Sequence, residues 1–185
     1  LDIQVTADDA EFIRSSVQEV FTSLLLTVVL VVATLWLFIG SGRATIVPAL
    51  SIPVSLIGAL AAIWLMGFSI NILTLLALVL ATGLIVDDAI VVLENIVRYV
   101  DQGMSPLKAA LKGSREVGFT IISISLSLVA VFIPLFFMEG PIGLLFREFA
   151  VVVSLAILVS AVVSLSLVPM LCSRYLPKPG QLARE

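Results

Sequence analysis

Long apolar runs, parted by short clusters of charge, glycine and proline, dominate the chain. The first covers residues 20–39 and stops at Gly40-Ser41-Gly42-Arg43, where glycine and a cation suit a helix C-terminus. The second covers 45–66 and holds Pro48 and Pro53, which a membrane helix tolerates when neighbours re-satisfy the freed carbonyls. The third covers 71–97 and is interrupted by Asp87, Asp88 and Glu94; the fourth covers 118–138 and the fifth 149–171. Each lies close to the ~20 residues a helix needs to cross a hydrocarbon layer of ~30 Å. The pattern predicts an all-α, polytopic transmembrane bundle of about five spans.

The remaining segments are short. Residues 1–19 read as an outward-facing stretch in which Asp8-Asp9 precede Phe12, Ile13, Val17 and Val20, an amphipathic helix start leading into the first span. Ser105-Pro106 reads as N-cap and first residue of a short helix, 106–112, with Leu107, Ala110 and Leu111 opposed to Lys108 and Lys112, lying on the cytoplasmic surface. Residues 172–185 read as a cytoplasmic linker. Five crossings set the two chain ends on opposite sides. Of the Lys and Arg residues, all but Arg14 and Arg147 then fall on one side, which the positive-inside rule makes cytoplasmic. The chain begins at Leu1 without a signal-like leader, and is expected to be an internal piece of a longer protein.

Composition agrees with the pattern and removes several kinds of chemistry. Hydrophobic residues make up 61% and charged residues 12%, with mean hydropathy +1.23, against about 25% charge in a typical soluble domain. There is no His and only Cys172, so an imidazole metal site, a Ser/His/Asp triad and an internal disulfide are excluded. Proton chemistry falls to carboxylates. With a pI of about 4.9 and dispersed cations, the chain has no nucleic-acid footprint.

Two such carboxylates stand near the middle of the third span. With the midpoint near Leu84, a rise of ~1.5 Å per residue sets Asp87 and Asp88 roughly 5 Å toward the cytoplasm, inside the hydrocarbon layer. Each costs about 2.5–3.5 kcal/mol on insertion scales, so such residues face a protein interior and mark ion or proton pathways. Neighbouring positions are ~100° apart on a helix, so the pair shares a sector without facing one point. Two like charges this close in apolar surroundings are suited to taking up and releasing a proton. No Lys or Arg lies at this depth in any span, so a cationic partner would come from outside the chain. Glu94 lies nearer the membrane surface, either paired with Arg98 one turn on or serving proton exit. Ala77, Ala81, Gly83 and the pair Gly58/Ala62 leave room for close helix neighbours, and the serines of the last two spans read mainly as packing residues.

The run Gly83-Leu84-Ile85-Val86-Asp87-Asp88-Ala89-Ile90-Val91-Val92-Leu93-Glu94-Asn95 resembles the fourth transmembrane helix of the resistance, nodulation and cell division (RND) efflux permeases. The similarity extends through FIGSGRATIVPALSIPVSLIGA (38–59), GFSINILTL (67–75), REVGFTIISISLSLVAVFIPLFFM (115–138) and REFAVVVSLAI (147–157), nearly the whole chain. The resemblance implies spans two to six of a bacterial inner-membrane permease, driven by the proton gradient without a cofactor. It implies a trimer that works with a periplasmic adaptor and an outer-membrane channel. By motif, Asp87 and Asp88 match the family's proton-relay pair and Gly83 the small residue before it. A second Asp at this place argues for the branch that exports hydrophobic and amphiphilic compounds rather than heavy metals. The family's relay lysine and its drug pockets belong to the other half of the membrane domain and to periplasmic domains, so no complete substrate site is expected here.

Two other readings compete. An intramembrane aspartyl protease also uses two membrane carboxylates, but on separate helices and with a GxGD signature; here the residues before Asp87 are Leu84-Ile85-Val86. A non-transporting membrane scaffold of related fold would carry the pair without proton traffic.

Overall fold

A computed structural model of the chain describes residues 9–39, 42–69 and 71–176. Among these residues lie five helices and no strand: α1 (Asp9–Ile39), α2 (Gly42–Leu65), α3 (Ile72–Asp101), α4 (Pro106–Phe136) and α5 (Gly140–Tyr175). The helices α2 to α5 are long and apolar enough to cross a membrane, and α1 carries a shorter apolar stretch, Phe21–Thr34, among its described residues. The fold is an all-α, polytopic membrane bundle.

Several boundaries differ from the apolar runs. Residues 106–112 are the opening turns of α4 and run without a break into the span, so the expected separate surface helix is not formed. Ser105 is the N-cap and Pro106 follows it, but the serine hydroxyl makes no capping bond. Likewise 140–148 belong to α5 rather than to a connection, and residues 172–175 finish α5 before the linker. Residues 9–19 are continuous with the first span in α1. Apolar periodicity marks where lipid or protein covers a helix. It does not mark where the backbone ladder ends, because polar residues extend a helix past the membrane surface at little cost. Asp8, the Gly40-Ser41 stop and residues 177–185 lie outside the described residues.

Where the chain turns, local chemistry accounts for it. Gly67 adopts φ 77°, and the Phe68 amide donates back to the Ile63 carbonyl (3.2 Å), closing α2; Gly103 at φ 94° and the Met104 amide on Tyr99 (3.1 Å) repeat the device after α3. Asn71 caps α3. Its Oδ1 accepts from the amides of Leu73 and Thr74, while the Thr74 hydroxyl accepts from the Asn71 amide. The Asn71 Nδ2 also donates to Glu148 on α5 (2.9 Å), tying the two helix starts together.

The best-enclosed helices are α3 and α5. One buried cluster gathers Ala77, Ala81 and Ile85 of α3 with Val152, Val153 and Ala156 of α5 and Ala59 and Ile63 of α2. A second joins Val92 and Ile96 of α3 to Ala109 and Ala110 of α4 and Val168 and Cys172 of α5. In lipid these contacts are won by close fit, since tails are as apolar as side chains. Small residues supply the fit: a Cβ on Gly58 would stand 2.8 Å from Val159 Cγ1, and one on Gly113 would stand 2.9 Å from Ile96 Cγ1 and 3.2 Å from its backbone. By contrast α4 leaves most of its apolar surface uncovered, with Phe119 81% and Val131 70% exposed.

Candidate functional site

Asp87 and Asp88 both lie on α3, with about as much helix before them as after. The ~100° between adjacent residues splits them. The face of α3 that carries Leu78, Ala81, Ile85, Ala89 and Val92 packs inward, and Asp88 falls on its edge, 8% exposed. Across from it stands Ser160 of α5, fully buried, with its hydroxyl 3.2 Å from Asp88 Oδ2 and 3.3 Å from the Ile85 carbonyl. The single hydroxyl proton is shared between a side-chain and a main-chain acceptor. A charged or hydrogen-bonded carboxyl at this position is thereby coupled directly to α5.

Asp87 points the other way. It lies on a stripe of α3 left uncovered by the chain's other described helices: Ile72, Leu76, Leu80, Gly83, Asp87, Val91 and Glu94. These positions advance in steps of four, four and three residues, the stride of one straight helix face. Gly83 lies one turn before Asp87 on this face, and a Cβ there would meet nothing within 4 Å. Thus the structure brings Asp87, Gly83 and Glu94 onto one open face and turns Asp88 away from it. Among the described residues no Lys or Arg forms an ion pair with either aspartate, and no group of three metal-ligating side chains occurs.

Glu94 does not pair with Arg98. The Arg98 guanidinium donates instead to Asn95 Oδ1 (2.6 Å) and reaches Glu116 Oε2 on α4 (3.5 Å). Asn95 Nδ2 donates to the Gly113 carbonyl (2.9 Å) and to Glu116 (3.1 Å), and the Tyr99 hydroxyl donates to the same carboxylate (2.8 Å). This cluster locks the far end of α3 to the start of α4 where Gly113 lets the two backbones approach. Sequence reasoning had no means of finding it, since the partners are 17 to 21 residues apart.

Ser160 was also missed as a particular residue. Of the serines read as packing groups, Ser127 and Ser166 do bond back to their own helix, at Ser123 and Val162. Nothing in the local sequence separates Ser160 from them; only the crossing of α3 and α5 does.

Comparison with known proteins agrees with this architecture. A family profile described as "AcrB/AcrD/AcrF family" matches residues 1–183. The chain is 58% identical over 188 residues to the Multidrug resistance protein MdtC of Pectobacterium carotovorum subsp. carotovorum (strain PC1), covering all of this chain and 18% of that protein. It is 59% identical over 172 residues to the protein of that name from Salmonella schwarzengrund (strain CVM19633) and 58% to that from Escherichia coli (strain K12), covering 93% of this chain and 17% of each. The chain therefore spans less than a fifth of the length of the curated relatives it matches. With a matched profile over nearly every residue and a bundle of apolar helices around a mid-span carboxylate pair, the chain belongs to the AcrB/AcrD/AcrF family of RND permeases.

Proposed function

We propose that the chain forms part of the membrane domain of a proton-driven antiporter that exports hydrophobic and amphiphilic compounds, with Asp87 and Asp88 as its proton relay. The observation that carries this reading is the splitting of the pair. Asp88 is tied through Ser160 to α5, while Asp87 opens on the uncovered face beside Gly83. A relay needs one carboxyl that takes up and gives off a proton and a second element that responds to its charge. A hydroxyl that donates to Asp88 when the carboxylate is charged loses that acceptor strength when it is neutral, so α5 is positioned to respond. The apolar surroundings raise the stakes of each charge change.

On this reading the open face of α3 packs against the remaining half of the membrane domain, which supplies the cation absent from these spans. Close approach at Gly83 brings that cation to Asp87. Glu94, nearer the membrane surface, supports proton exit. The ends of α3 and α5 and the start of α4 face the cytoplasm, in keeping with their Lys and Arg residues. The permease resides in the bacterial inner membrane as a trimer, with periplasmic domains, an adaptor and an outer-membrane channel as partners. The proton gradient supplies the energy, with no cofactor.

The test is efflux by a full-length permease carrying this segment, comparing wild type with Asp87→Asn and Asp88→Asn at matched membrane expression. Loss of drug resistance and of proton-coupled efflux in both variants is expected. Retained efflux in both would refute the relay and leave a scaffold whose aspartates serve packing.

A further inference from the structure

A cleft of about 600 Å³ lies where the start of α4 meets the end of α3, lined by Tyr99, Lys108, Leu111, Lys112, Arg115 and Glu116. Lys108, Lys112 and Arg115 follow one another at four and three residues, so all three cations stand on one face of α4. The one carboxylate in the lining is already engaged from the α3 side. Glu116 Oε2 accepts from Asn95 and the Tyr99 hydroxyl and lies 3.5 Å from Arg98. Lys112 is held with its Nζ 4.5 Å from the centre of the Tyr99 ring. Lys108 and Arg115 have no anionic partner among the described residues. Asp101 and Glu94 line the neighbouring cleft, together with Arg98. The lining thus carries an excess of positive charge that the chain itself does not neutralise.

Beside the cations stand apolar groups. Leu111 is exposed at the level of the lysines, and beyond Arg115 the same face continues in steps of four, three and four residues through Phe119, Ile122 and Leu126, all exposed. A face that is basic at its tip and apolar directly above it matches the boundary of a membrane leaflet: acyl chains above, charged headgroups at the level of the lysines. A soluble anion would use the cations and gain nothing from the apolar stripe beyond them.

We propose that this cleft is a binding site for the phosphate of an anionic phospholipid headgroup in the cytoplasmic leaflet, with the acyl chains lying along Phe119, Ile122 and Leu126. The proposal rests on the orientation given above and is independent of the proton relay. Lys108 and Arg115 supply the free charge. Lys112, fixed on Tyr99, makes the site rigid, and Glu116 holds Tyr99 in place.

The test uses the full-length permease carrying this segment, purified in detergent and titrated with phosphatidylglycerol or phosphatidylcholine, with bound lipid counted by native mass spectrometry. Each cation removed is expected to weaken phosphatidylglycerol binding about fivefold. The Lys108→Gln/Arg115→Gln variant then binds it about 25-fold more weakly, with phosphatidylcholine unaffected. Arg174→Gln, at the end of α5, leaves binding unchanged, and Lys108→Arg/Arg115→Lys retains it. Equal affinity of wild type for the two lipids would overturn the proposal, as would unchanged binding in the Gln variant or loss of binding in the charge-conserving one. Displacement of phosphatidylglycerol by inorganic phosphate at equal concentration would assign the cleft to a soluble anion and also overturn it.

Discussion

Replacing Gly113 by alanine tests the tight crossing of α3 and α4. The added methyl would stand 2.9 Å from Ile96 Cγ1 and 3.2 Å from both the Ile96 Cα and its amide nitrogen. Ile96 is fully buried and β-branched, so its side chain has little freedom to turn aside, and the backbone atoms can yield only by moving α3 from α4. Such overpacking costs about 1–3 kcal/mol. The helix-propensity gain of Ala over Gly returns about 1 kcal/mol. Separation of the helices also stretches the bond from Asn95 to the Gly113 carbonyl, a net contribution of about 0.5–1.5 kcal/mol. A net destabilisation of about 0.5–3.5 kcal/mol follows. Gly118→Ala is the internal comparison, because a Cβ there meets only Leu165 Cδ2 at 3.9 Å, an ordinary contact. Equilibrium unfolding in mixed detergent micelles, monitored by helical circular dichroism, should rank Gly113→Ala below wild type and Gly118→Ala at or above it. Equal stability of the two variants would refute the reasoning, since it would mean that α3 and α4 do not cross this tightly.

Three further outcomes follow from the same contacts. Ser160→Ala removes the hydroxyl shared by Asp88 and the Ile85 carbonyl; at about 1 kcal/mol for a bond of this length, efflux by a full-length permease falls about fivefold at unchanged expression, whereas Ser166→Ala, which bonds only within its own helix, leaves efflux unchanged. Gly83→Leu does not destabilise this chain, because nothing lies within 4 Å of the added Cβ and leucine favours the helix, but it abolishes efflux in the full-length protein if a second helix packs there. Unaltered efflux would show that face to be open. Asn71→Ala removes the cap of α3 and its bond to Glu148 and lowers stability by about 1 kcal/mol in the same unfolding assay, and Asn71→Asp, which keeps the cap, recovers only part of the loss because it sets a carboxylate against Glu148.

The membrane class, the helical runs and the carboxylate pair were legible along the chain because each depends on local quantities: hydropathy over ~20 residues, and the cost of a charge inside that window. The helix ends were less so. The structure turns at Gly103, beyond the third apolar run, and Lys108 and Lys112 do not interrupt α4, because a helix leaving the membrane keeps its hydrogen-bond ladder whatever side chains it carries. Arg98 illustrates a second gap. Glu94 lies one turn before it on the helix, but the guanidinium bonds to Asn95 three residues back and reaches Glu116, which the α3–α4 hairpin brings across; a rotatable guanidinium takes the partners that folding supplies.

From sequence alone came an all-α membrane bundle with two adjacent aspartates at mid-span and no cation beside them, because composition and spacing suffice for both. Tertiary structure decided that the two differ. The inward face of α3 is set by how Ala77, Ala81 and Ile85 fit against α5, and that rotation seals Asp88 onto Ser160 and leaves Asp87 on the open face with Gly83. A hydrophobic pattern with no polar side to orient it leaves a helix free to rotate about its axis; only packing against neighbours chooses the angle.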